Sequence, residues 1–124
     1  MSKEKLYIFD TTLRDGAQTQ GVDFSLSDKE KIAVALDNLG VDYIEGGWPG
    51  ANPTDTEFFQ KKYHFKNAKL TSFGMTKKTG RSADNDPGLS AITNSNTSAV
   101  CLVGKSWDFH VDVALGISNE ENLE

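Results

Sequence analysis

The sequence has a single cysteine, fewer basic than acidic residues, and no apolar run of membrane-spanning length; each shortage removes a class of protein. Cys101 alone cannot close an internal disulfide, so no covalent staple helps the fold. It lies in the apolar run Ala99-Val100-Cys101-Leu102-Val103, the setting of a buried strand thiol rather than a nucleophile. Thirteen Lys and Arg against eighteen Asp and Glu give a net charge of −5. That balance disfavours nucleic acid as a partner, because there is no surplus of cations to displace phosphate counterions. No apolar stretch approaches the roughly 20 residues a spanning helix needs, and none has the layout of a signal peptide. Neither GxGxxG nor P-loop spacing occurs, so the glycines do not read as a phosphate cradle. What remains, at 37% hydrophobic and 25% charged residues, is an ordinary globular composition for one domain, expected in the cytoplasm.

Four apolar runs read as strands, at 6–9, 41–45, 70–73 and 99–103. Their nearly unbroken hydrophobicity suits strands covered on both faces. A stretch of helical character follows each. Over 25–39, Ile32, Ala33, Leu36 and Leu39 recur at helical spacing, with Ser27 and Glu30 as a capping box and Gly40 as the terminator. Thr54 and Glu57 repeat the box ahead of Phe58 and Phe59; a shorter helix starts near Asp86-Pro87, and Ser118 with Glu121 opens the last. Strand starts recur about every 30 residues, the length of a βα repeat, which predicts a parallel sheet. Two architectures satisfy this pattern: a small doubly wound sheet, or part of a (β/α)₈ barrel, which needs about 250 residues.

The densest chemistry is the run Tyr7-Ile8-Phe9-Asp10-Thr11-Thr12-Leu13-Arg14-Asp15-Gly16-Ala17-Gln18, a strand ending in a polar cluster. Arg14 is a permanent cation with a planar fork, suited to a carboxylate or carbonyl oxygen. Asp15 is a hard anionic oxygen suited to a divalent metal. Gly16 permits a sharp turn, and Gln18 can hydrogen-bond to something held between them. A polar surface turn is the plainer alternative. Other strand exits carry weaker signals. Glu45 reads equally as an acid, base or support, or as a salt-bridge partner of Arg14. Trp48 reads as a pocket wall or as loop packing, and Asn52 as a turn residue before Pro53. His110, beside Trp107 and Phe109, reads as a site group or as a hydrogen-bonded core histidine. His64 reads as helix surface.

The segment Asp10-Thr11-Thr12-Leu13-Arg14-Asp15-Gly16-Ala17-Gln18 resembles the opening motif of the pyruvate-carboxylase-like metallolyase barrels. That family holds the isopropylmalate, homocitrate and citramalate synthases and hydroxymethylglutaryl-CoA lyase. Residues 40–55 and 104–111 are similar to its citramalate synthase branch, so the resemblance runs from about Leu6 to the C-terminus. It implies the N-terminal half of a (β/α)₈ TIM barrel, about four βα units, with residues 1–124 as a partial catalytic domain. It implies an acyltransferase that joins acetyl-CoA to an α-keto acid, pyruvate giving citramalate, in branched-chain amino acid biosynthesis. Isopropylmalate or homocitrate synthesis is the alternative within the family; a non-catalytic, self-associating fragment or a small binding module is the alternative outside it.

Carried over residue by residue, the resemblance makes Asp15 a metal ligand and Arg14 the cation that polarises the keto group. Gln18 and His110 would line the keto-acid pocket; Glu45, from its place at a strand exit rather than from the resemblance, is expected as a catalytic carboxylate. Lys77, Lys78 and Arg81 would attract the phosphates of the acetyl-CoA co-substrate or form a solvated face. The family uses a divalent metal (Mg, Mn or Zn) and completes its site with a His-x-His pair. The only histidines here are His64 and His110, so a high-affinity metal site is not expected in this chain alone. Half a barrel leaves its first and fourth strands as open edges. This chain is therefore expected to self-associate, and the parent enzyme to be a homodimer acting on small molecules.

Overall fold

A computed structural model describes residues 2–124. Four strands, β1 (Phe9–Asp10), β2 (Tyr43–Gly47), β3 (Lys69–Met75) and β4 (Ala99–Val103), form one parallel sheet in the order β1-β2-β3-β4. Helices α1 (Leu26–Leu39), α2 (Pro53–Gln60) and α3 (Pro87–Asn94) follow the first three strands. After β4 come α4 (Asp108–His110), which continues as a π-helical turn over Val111–Leu115, and α5 (Asn119–Leu123). The order decides between the two architectures. A doubly wound sheet reverses its strand order at a switch point, whereas a barrel adds each new strand on the same side. These are four βα units of a barrel.

The strands differ in cover. β2 and β3 are buried for most of their length. The predicted strand at 6–9 contracts to Phe9–Asp10, with Leu6 84% exposed and Tyr7 and Ile8 also open. Its one neighbour, β2, begins at Tyr43, so residues before Phe9 lack a ladder partner beyond the bonds from Asp42 and Tyr43 N–H to the Ile8 carbonyl, 3.0 Å each. β4 covers the predicted 99–103, but Val100, Leu102 and Val103 are exposed.

Two helix starts also differ from expectation. The capping box of α1 is Ser25 with Asp28: Ser25 Oγ accepts from Asp28 N–H at 3.1 Å, and Asp28 Oδ2 accepts from Ser25 N–H at 3.0 Å. Aspartate at the third helical position closes the box as well as glutamate does, so the helix starts two residues before the Ser27–Glu30 pair. For α2 the cap is Asn52, accepting from Asp55 N–H at 2.8 Å, rather than Thr54 with Glu57. Pro53 has no N–H to donate and its fixed φ suits the first helical position, which pushes the cap back onto Asn52. The other ends are as read. Asp86 caps α3, Ser118 and Glu121 form the last box, and Gly40 takes the left-handed φ of 93° that ends α1.

Leu13, Ala33, Val41, Ile44, Phe58 and Phe59 form the core, where α1 and α2 cover the sheet. Burying each large side chain of this kind contributes roughly 1.5–3 kcal/mol. Asp37, at the end of α1, receives the N–H groups of Lys66, Asn67 and Ala68, each at 2.8 Å, and so anchors the approach to β3. His64 sits on that approach as an exposed loop residue rather than on a helix, because α2 ends at Gln60.

Candidate active site

Parallel strands place all four exits on one edge of the sheet, and the polar motif occupies the first. Beyond β1 the chain coils tightly. Asp10 accepts from Thr12 N–H and Thr12 Oγ1, both at 3.0 Å, and the Thr11 carbonyl accepts from the N–H groups of Arg14, Asp15 and Gly16 at 3.2, 2.8 and 3.1 Å. The coil turns Leu13 into the core, leaves Arg14 half-buried and presents Asp15 to solvent with 63% of its side chain exposed. Gly16–Gln18 then make a single 3₁₀ turn.

Arg14 is held from two further strands. Its Nε donates to Oε1 of Glu45, the β2 residue that is only 1% exposed. Its guanidinium carbon lies 4.1 Å from the ring centroid of Phe73 on β3, a cation–π contact. Phe73 is met edge-on by Trp48, centroids 5.3 Å apart. Arg14 Nη1 stands 3.5 Å from Asp15 Oδ1, a loose contact. The guanidinium is therefore fixed at Nε and on one face, while its terminal nitrogens have no other hydrogen-bond partner among the described residues. Removing either member of a buried pair leaves the other charge uncompensated, which costs roughly 3–5 kcal/mol.

Of the residues singled out from the sequence, the structure thus joins Arg14, Asp15 and Glu45, and Glu45 makes the ion pair that was one of its two readings. Gln18 is exposed on the 3₁₀ turn. His110 lies at the β4 exit, exposed, its ring 4.6 Å from that of Trp107 and 6.2 Å from that of Phe109. No hydrogen bond ties it to Arg14, Asp15 or Glu45 among the described residues. Lys78 and Arg81 are exposed beyond β3. Cys101 is half-buried rather than buried. Desolvation, then the Glu45 charge, push its thiol above the usual range against the opposing pull of Arg14, so it stays protonated. Asp15 fits a divalent cation as one hard oxygen donor, but no three His, Cys, Asp or Glu side chains converge among the described residues.

Two contributors escaped the sequence reading. Phe73 looked like core strand, and only the fold lays it under Arg14. Lys29 is 2% exposed, and its Nζ reaches the Leu13 carbonyl at 3.1 Å and the Asp55 carboxylate. The available signal was its place on the inward stripe of α1, four residues before Ala33 and seven before Leu36.

The chain is thus a TIM-barrel segment with an Arg-Asp pair at its first strand exit and a buried glutamate on its second strand. The chain belongs to the HMGL-like family, which matches residues 5–124. It is 55% identical over 122 residues to an (R)-citramalate synthase of Aquifex aeolicus, covering 97% of this chain and 23% of that protein. It is 35% identical over 125 residues to 2-isopropylmalate synthase 1 of Caldanaerobacter subterraneus, covering 100% of this chain and 30% of the relative. In fold it matches a crystal structure of hydroxymethylglutaryl-CoA lyase from Pseudomonas aeruginosa with a TM-score of 0.73 at 19% identity, over 96% of this chain and 39% of that one. The chain thus spans about a quarter of the length of the curated relatives it matches. No helix among the described residues is long and apolar enough to cross a membrane.

Proposed function

We propose that this chain is the opening half of the barrel of a citramalate synthase, which condenses acetyl-CoA with pyruvate in branched-chain amino acid biosynthesis. The observation that carries the reading is the clamped Arg14, held at Nε by Glu45 and on one face by Phe73, an arrangement that would leave its terminal nitrogens for a substrate oxygen. The choice of pyruvate is supported by the higher identity to a citramalate synthase than to an isopropylmalate synthase.

In the reaction the acetyl methyl group loses a proton and its carbon bonds to the keto carbon of pyruvate. The keto oxygen becomes an alkoxide and takes up a proton. Water then cleaves the thioester, releasing citramalate and CoA. Arg14 would hold the keto oxygen and stabilise the alkoxide, a charge present only as the new bond forms. Glu45 keeps the guanidinium aimed; Gln18 and His110 would orient the keto acid. Asp15 would be one ligand of a divalent ion (Mg, Mn or Zn), which supplies Lewis-acid polarisation of the keto acid when bound. The general base and the remaining ligands would come from elsewhere in the barrel.

On this reading the full-length protein is a cytoplasmic homodimer. The chain alone would self-associate through its open β1 and β4 edges and be inactive. CoA release from acetyl-CoA, with Mg²⁺ or Mn²⁺ and either pyruvate or a bulkier α-keto acid, tests this. Turnover with pyruvate by the full-length protein and none by the 124-residue chain is expected. Preference for a branched keto acid would shift the reading to isopropylmalate synthesis, and activity in the chain itself would overturn the half-barrel account.

A further inference from the structure

Lys29 is an unusual occupant of a helix's inner face. Its ammonium is buried with two hydrogen-bond partners, neither on its own helix, the carbonyl of Leu13, directly before Arg14, and the carboxylate of Asp55 on α2, and lies 5.4 Å from the ring centroid of Phe58. Asp55 spends its other oxygen on the N–H of Trp48 at 2.8 Å, three residues past Glu45. The carboxylate has room because Gly47 carries no side chain: a Cβ there would lie 2.6 Å from Asp55 Cγ, and the φ of +147° favours glycine in any case. One cation and one anion thereby connect α1, α2, and the loops leaving β1 and β2.

Arg14 stands on the first of those loops, whereas Glu45 stands within β2, two residues before the strand ends at Gly47. Their mutual contact ties the β1 loop to β2 itself, and the Lys29–Asp55 pair ties that loop to the one leaving β2, through the Leu13 carbonyl and the Trp48 N–H. A buried ion pair seldom adds net stability over well-packed apolar residues, because both charges must be desolvated. What it adds is direction, since each hydrogen bond sets a distance and an angle that apolar contact leaves loose. Catalytic groups need placement to within about half an ångström.

We propose that Lys29 and Asp55 form a positioning pair that sets the β1 exit, bearing Arg14 and Asp15, against the exit of β2, the strand that bears Glu45. Neither residue touches substrate. The catalytic half of this inference rests on the reading of Arg14 as the group that meets the keto oxygen.

The test replaces the pair by Lys29→Met/Asp55→Leu, which keeps the volume apolar and leaves no lone buried charge. Lys61→Met, at the more exposed pair with Glu30, is the control. In the 124-residue chain, amide hydrogen exchange at Arg14, Asp15 and Trp48 is expected to quicken about tenfold while Ile44 holds its wild-type rate. Unchanged exchange at the two loops overturns the positioning role. In the full-length protein, kcat is expected to fall on the order of 100-fold with KM within about threefold and Tm unchanged. Wild-type kcat, or a Tm that falls in step with kcat, overturns the catalytic half. If the wild-type protein itself turns over no keto acid, the functional reading falls, and the exchange rates alone decide whether the pair positions the loops.

Discussion

The middle of this sheet and its two edges are built from similar apolar runs yet reach different states. On β2 and β3, Ile44, Glu45, Thr71, Ser72 and Phe73 are buried between neighbouring strands and α1, α2 and α3. On β1 and β4, Phe9, Val100, Leu102 and Val103 face solvent. The exit groups follow the same division. Glu45 and Phe73, rooted in the middle, grip Arg14, while His110 beyond β4 lies against the rings of Trp107 and Phe109 and makes no side-chain hydrogen bond among the described residues. Hydropathy states what a strand can tolerate on its faces; its neighbours decide what is covered. A side chain becomes fixed where two covered strands meet.

Cutting the grip at the middle gives the largest expected effect on stability. Glu45→Ala strips Arg14 of its buried partner and is expected to cost about 3–5 kcal/mol in urea unfolding of the chain. Asp37→Asn removes the charged acceptor of three N–H groups under the approach to β3 and is expected to cost about 2–3 kcal/mol in the same measurement.

The acid side of the stability profile sharpens the comparison further. Burial pushes the Asp37 carboxyl up, but the three N–H donations outweigh it and hold it below the ordinary range. Asp86 is lowered by the N–H groups of Lys78 and Leu89. Between its folded and unfolded values each carboxylate binds more protons when unfolded, so stability rises with pH there. Their contribution is complete above the unfolded value of about 3.9 and is lost as pH falls through the folded one. Tyr63 has the opposite sign at the alkaline end. Burial, with the Glu30 charge, pushes it up to about 12, so its contribution is complete below about 10 and lost between the two. Melts from pH 7 to pH 3 should show Asp37→Asn flattening the acid limb. The smallest effect belongs to the edge: His110→Ala, at an exposed position, should alter stability by less than about 0.5 kcal/mol.

Much of this fold was legible in the sequence where one local rule sufficed. The run 99–103 is β4 to the residue, and Gly40, Asp86-Pro87 and Ser118–Glu121 end or start helices where they were read. Caps failed at Ser27–Glu30 and Thr54–Glu57 because Ser25 and Asn52 offered equal side chains nearby, and the choice fell to where Asp28 and Pro53 stood. The strand at 6–9 shortened because pairing, unlike hydropathy, is set by a partner 34 residues away. The barrel itself came from the resemblance of the Arg14–Asp15 motif, since spacing admitted a doubly wound sheet equally. The site divides similarly: Arg14 and Asp15 lie in one continuous motif, whereas the Lys29–Asp55 tie and the Phe73 face exist only after distant segments meet.

The most direct measurement is turnover of acetyl-CoA and pyruvate by the full-length protein bearing Asp15→Ala, set beside Arg14→Ala and wild type, with Tm recorded for each. Asp15 is largely exposed, so its loss should leave the fold intact while turnover falls on the order of 10³-fold or more, as it should for Arg14→Ala. Near-normal turnover in either variant would contradict the assignment of the β1 exit as the catalytic centre.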